Sequence, residues 1–102
     1  MPDIALSVNN VPIRLTDERW KHIVENHDDI AGYYDTVLKT VEDADYIIKG
    51  YKGAFIALLE VSKKKYLAVV YKEFINAGFI ITAYFTRKIK FENEVIVWKK
   101  KF

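Results

Sequence analysis

After Glu42 the hydrophobic period of the chain changes. Before it, apolar residues recur three and four positions apart. After it they fall into short runs rich in Ile, Val, Tyr and Phe: DYIIKG, AFIALLEV, YLAVVYKEF and FIITAYFTR. A helix-period pattern does not settle as a strand, nor the reverse, so the chain divides into a helical first part and a sheet-forming second part. The joining stretches YKG, SKKK and NAG are short, and two contain Gly, as hairpin loops require. The second part therefore reads as an antiparallel meander, to which EVIVWK could add a fifth strand before the basic tail KKKF.

The helical part opens with a clear start signal. Thr16 is a good N-cap, and Asp17 and Glu18 put negative charge in the first turn, where the helix dipole favours it. Arg19 stands where a reciprocal capping box would need Glu or Gln. Trp20, Ile23, Val24 and His27 then follow at i, i+3, i+4 and i+7, one stripe of a helix, with His22 on the other side. Beyond a break at Asp28-Asp29, Ile30, Tyr34, Val37, Leu38 and Val41 give a second stripe. The apolar segment IALSV, closed off by Asn9-Asn10 and Pro12, reads as an edge strand or arm within residues 1–12. The expected fold is α+β: one domain over residues 1–102, with two N-terminal helices packed on one face of a four- to five-stranded antiparallel meander sheet. The opposite face is expected to be available.

The chain has 102 residues and no cysteine, which excludes a disulfide framework, a thiolate nucleophile and a sulfur-ligated metal site. MPDIALSVNN lacks the pattern of a secretory signal, and runs such as YLAVVY fall far short of the roughly 20 residues a membrane span requires. A cytoplasmic protein without membrane attachment is expected. The net charge of +2 conceals a division: residues 1–45 hold ten acids against four Lys/Arg, whereas residues 46–102 hold four acids against twelve. A basic half favours a polyanionic partner such as nucleic acid, and an acidic half restricts contact to one side. Two ordinary solvated surfaces would carry the same charges.

The stretch TAYFTRK places hydroxyls at Thr82, Tyr84 and Thr86, on one face of a strand that ends in Arg87 and Lys88. A tight NAG hairpin would set Thr82 near Val70, Tyr84 near Ala68 and Thr86 near Tyr66, on a face that also receives Lys72. Phe79, Ile81, Ala83 and Phe85 would then point into the helices, and Ile80 would join the hydroxyl face. Thr and Tyr are good strand formers on any half-exposed face. Hydroxyls beside a guanidinium can equally hold a phosphate, and Tyr66, Tyr71 and Tyr84 offer rings on which bases can stack. His27 has two readings as well: a buried structural residue, or a general acid/base, since imidazole exchanges protons near neutral pH. Two histidines on different helix faces do not converge on one metal ion, and no phosphate-binding glycine loop, nucleophile elbow or zinc spacing occurs.

The order IRLTDERWKHIVENHDDI, VLKTVEDADYIIKG, YLAVVYKE and GFIITAYFTRK resembles the small phage and bacterial domains of the barnase, EndoU, colicin and RelE-type nuclease fold, over roughly residues 13–98. Its most specific pieces are W-x-H-I-x-x-x-H in the first helix and G-F-I-I-T-A-Y-F-T-R in the last long strand; Asp28 stands where the family usually has Pro. The resemblance implies a metal-independent, cofactor-free endoribonuclease, often a toxin held by a small acidic antitoxin or immunity protein. It implies that His27, Thr82, Tyr84, Thr86 and Arg87 form the active site, with His22 and Lys72 near it; together with Lys88 and Tyr66 from the strand reading, these two are the expected substrate-binding residues. A non-catalytic RNA- or protein-binding module of the same fold is the alternative, and pairing through IALSV would make a homodimer.

Overall fold

The computed structural model describes residues 3–101. Seven strands form one sheet: β1 (Asp3–Leu6), β2 (Pro12–Leu15), β3 (Tyr46–Lys49), β4 (Phe55–Ser62), β5 (Lys65–Glu73), β6 (Gly78–Thr86) and β7 (Ile96–Lys99). Their spatial order is β1-β2-β6-β5-β4-β3-β7, and every neighbouring pair is antiparallel except β2 and β6, which run parallel. Two helices, α1 (Asp17–Asn26) and α2 (Tyr34–Glu42), stand between β2 and β3 in the chain.

The α+β class and the central meander β3-β4-β5-β6 agree with the sequence expectation, but the sheet has seven strands, not four or five. IALSV supplies the edge strand β1, and IRL, only three residues between Pro12 and Thr16, belongs to a strand of its own. Its alternation is nonetheless complete: Ile13 and Leu15 are buried and Arg14 is exposed. The β1–β2 turn closes on Ser7, whose Oγ accepts from the backbone N–H of Asn9 and Val11, while Asn10 takes a left-handed φ of 64° that Asn tolerates well. EVIVWK does supply a strand, β7, but it pairs with β3 at the other edge of the sheet, not beside the last long strand as a continued meander would have it.

Helix α1 begins as expected, with Thr16 Oγ1 accepting from the Arg19 N–H at 3.1 Å. The second stripe is interrupted: Asp28–Ile30 forms a 3-10 turn and α2 starts only at Tyr34, after Gly32, a poor helix former. Ile30, Val37 and Val41 still reach the same core, with Ile23, Ile13, Leu15, Ile47, Leu67, Val69 and Ile80. Trp20 and Tyr34 bridge the two helices edge to face, with centroids 5.1 Å apart.

Tyr34 also donates to Asp3 Oδ2 at 2.6 Å, tying α2 to β1. Desolvation first, then that hydrogen bond and nearby carboxylates, push its pKa up to about 12 from the usual 10.0. The folded chain thus keeps this proton while the unfolded chain loses it, so the stabilisation is complete below pH 10 and declines between about pH 10 and 12. Urea melts across that window should show a fall in stability that Tyr34→Phe makes shallower.

The cross-strand partners on β6 are those the hairpin predicts: Thr82 opposite Val70, Tyr84 opposite Ala68 and Thr86 opposite Tyr66. A bulge then intervenes, because Val70 pairs with Thr82 but Tyr71 pairs with Ile80, leaving Ile81 as the extra residue. Beyond it the faces exchange. Ile80 lies in the helix-side core, and Phe79 turns to the opposite face beside Lys72, the reverse of the expected arrangement. Tyr71 is likewise in the helix-side core, where burial raises its pKa, so it is no stacking surface.

The face opposite the helices is only partly open. β6 and β7 lie on different sides of the meander, so residues 87–95 must cross it, and Ile89 and Phe91 pack there on a second cluster with Ile48, Leu58, Ala68, Tyr46, Tyr66 and Tyr84. The expectation of a free face is corrected accordingly. Among the described residues no helix is long and apolar enough to cross a membrane.

Candidate active site

Strand β2 pairs with β6 only at Ile13–Gly78 and Arg14–Phe79. Among the described residues the rest of that β6 edge meets no strand, and α1 and its following turn pack against β6. His27 is the residue on which α1 closes, its N–H donating to Ile23 O at 2.8 Å. Its half-buried ring lies 5.8 Å from the ring of Tyr84, tilted by 37°. A stripe residue on the core side of its helix therefore meets a residue on the far face of the sheet, because the helix end reaches round an edge that β2 leaves unpaired. Tyr33, just after the turn, packs edge to face on Phe85 at 4.9 Å and holds the same corner from the helix side.

Thr82, Tyr84 and Thr86 stand half-buried on one face, as their spacing requires. Burial and then the negative charge of Glu94 push the Tyr84 pKa above its ordinary value. Tyr84 thus keeps its hydroxyl proton at neutral pH, which leaves it able to donate a hydrogen bond and unfit as a base. Thr86 Oγ1 accepts from the Lys88 N–H at 3.1 Å, which leaves the threonine proton available to another acceptor.

Arg87 sends Nη1 to the carbonyl of Lys63 at 3.0 Å, fastening the end of β6 to the β4–β5 turn. The guanidinium carries five N–H groups, so this bond does not exhaust it. The turn itself contributes Lys63 and Lys64, and Thr86–Tyr66 pairing brings it beside Arg87 and Lys88, whereas Lys65, the first residue of β5, turns its Nζ over the Phe85 ring on the helix side. One end of the candidate site is therefore strongly cationic.

His27, Thr82, Tyr84, Thr86, Arg87 and Lys88 thus fall along one stretch of β6 and the helix end beside it. Two other expected residues do not join them, and a third, opposite Thr86, is covered. His22 is exposed on the polar side of α1, 3.9 Å from Glu18 Oε1. Lys72 shares the face but pairs with Phe79, at the far end of β6. Tyr66 is covered by Phe91, ring to ring at 5.7 Å, and burial raises its pKa, so its face is not free for a base. Glu94, whose charge reaches Tyr84, was not legible as a site residue: it lies in a loop with no periodicity, and only the crossover brings it near. Among the described residues no three of His, Asp and Glu gather as a metal-holding group.

In comparisons with known proteins, no family model, no curated protein and no solved structure matches the chain.

Proposed function

We propose that the protein is a metal-independent, toxin-like endoribonuclease that cleaves RNA through attack of a 2′-hydroxyl on the adjacent phosphate. The observation that carries this reading is the contact of His27 with Tyr84, beside Thr82 and Thr86 and next to the Arg87–Lys88 end. In that reaction the 2′-oxygen loses its proton and bonds to phosphorus, the bond to the 5′-oxygen breaks, and the departing oxygen takes up a proton. The products are a 2′,3′-cyclic phosphate and a 5′-hydroxyl. His27 takes the 2′-hydroxyl proton, for which imidazole is suited, and water gives the departing 5′-oxygen its proton. Arg87, with Lys88, faces the phosphorane charge. Thr82, Thr86 and the protonated Tyr84 hold the phosphate oxygens.

The basic end formed by Lys63, Lys64, Arg87 and Lys88 fits an acidic antitoxin or immunity protein, and a cytoplasmic setting accords with an RNA substrate. A second reading, a non-catalytic RNA- or protein-binding module, is favoured by the crossover, which narrows the face with Ile89 and Phe91. Incubation of the purified protein with total RNA and tRNA in EDTA separates the two. Discrete fragments ending in cyclic phosphate support the nuclease; intact RNA beside a folded protein moves the reading to the binding module. Arg87→Ala sharpens the distinction, because a catalyst should lose cleavage far more than affinity, whereas a binder loses affinity alone.

A further inference from the structure

The beginning of β6 carries a second feature on the face of Thr82 and Tyr84. Ile4, Arg14, Phe79 and Lys72 form one row across β1, β2, β6 and β5, on the side away from the helices. Phe79 is there because of the bulge at Ile81. Without the extra residue, alternation from Thr82 would send Phe79 into the core and Ile80 outward. The sheet thus spends a ladder irregularity to present an aromatic ring to solvent.

That ring is flanked by cations. Arg14, Thr16, Arg19, Phe79 and Ile80 line a hollow of about 170 Å³, with no acidic side chain in its wall. A second, shallower hollow of about 370 Å³ continues from Arg14 and Phe79 over the β5–β6 turn. Phe74 stacks obliquely on Phe79 there, centroids 6.2 Å apart, and is 59% exposed, while Phe79 is 37% exposed. An exposed pair of aromatic rings among Arg14, Arg19 and Lys72 is the pairing of stacking platform and cationic groove by which single-stranded nucleic acid is held. A second copy of this chain is a poorer occupant, because a two-fold interface through this patch would set the arginines of one copy against those of the other.

The hollow lies at the start of the strand that carries the candidate active site. Thr82 lies three residues along β6 from Phe79, about 10 Å at the usual strand rise. Arg87 and Lys88 close the far end of the same strand. A strand of RNA laid along β6 would meet cations at both ends and His27 between them.

We propose that Arg14, Arg19 and Phe79, extended by Phe74 and Lys72, form a nucleotide subsite that stacks an unpaired base of single-stranded RNA and holds the phosphates beside it. The assignment rests on the ribonuclease reading for its choice of RNA, and it adds that the substrate is unpaired on one side of the cleaved bond.

The test uses the full chain and a fluorescein-labelled 2′-O-methyl RNA octamer, which cannot be cut by 2′-hydroxyl attack, with anisotropy followed across a salt series. Phe79→Ala should weaken binding about tenfold or more without changing the salt slope, and Phe79→Trp should restore it. Arg14→Ala and Arg19→Ala should each reduce the slope of log K against log salt by about 0.7. Equal affinity of wild type and Phe79→Ala overturns the subsite even if the wild type cleaves RNA. Binding that depends on Phe79 in a protein that cuts nothing upholds the subsite and removes the nuclease instead. Absence of octamer binding at about 50 mM salt, or a dimer in solution that Phe79→Ala dissociates, also overturns the proposal.

Discussion

His27→Ala should lower RNA cleavage by a factor of about 10²–10⁴, the usual contribution of a positioned acid/base, with little change in affinity for an uncut RNA analogue. Three features of the site lead to that split. The ring is half-buried against Tyr84, close to the hydroxyls of β6 and away from the lysines that dominate electrostatic attraction. Tyr84 cannot substitute as the base, because burial and Glu94 hold its proton in place. The structural part of His27 is carried by its backbone N–H to Ile23, which alanine keeps. Stability should therefore change by no more than about 1 kcal/mol, as for other substitutions outside the packed core. Single-turnover cleavage, octamer affinity and a urea melt on one preparation separate the outcomes. A melt lowered by several kcal/mol with cleavage unchanged would make His27 a structural residue and place the proton transfer elsewhere.

The position of His27 illustrates how far the sequence could be read. Its stripe with Trp20, Ile23 and Val24 directs it toward the protein, and the structure puts it there. What the stripe could not reveal was the sheet edge waiting for it, since that depends on β2 leaving β6 after two pairs. The register of Thr82, Tyr84 and Thr86 was legible because a short NAG loop allows few alternatives. The bulge one residue earlier was not, because Ile80 and Ile81 are equally apolar and either could fill the core. A strand as short as β2 gave too few alternations to be counted, and residues 87–95 have no period at all. Their path across the sheet is dictated by where β7 pairs, a long-range choice that local pattern does not encode.

The same junction of β2 with β6 makes Gly78→Ala the most damaging conservative substitution expected in this chain. Gly78 pairs with Glu73 on one side and with Ile13 on the other, at the point where the parallel strand joins the meander. A methyl group there would overlap the backbone oxygen of Lys72 and stand 2.6 Å from Ile13 Cδ1 and 3.1 Å from Glu73 Cα. Two of those three neighbours are backbone atoms of β5, so a change of rotamer cannot relieve the contact; the strands must part. Overpacking ordinarily costs about 1–3 kcal/mol, and a backbone clash belongs at the top of that range or beyond it. For a domain of this size about 3 kcal/mol corresponds to a fall in Tm of roughly 12 °C or more. Gly32→Ala is the control, since a Cβ at Gly32 meets nothing within 4 Å and its φ is not in the left-handed region. It should be neutral or slightly stabilising, because alanine narrows the unfolded ensemble. Should Gly78→Ala melt with the wild type, the close approach of β6 to the Lys72–Glu73 end of β5 would be wrong. With it would go the register that sets β2 against Gly78 and leaves the edge beside His27 and Tyr84 unpaired.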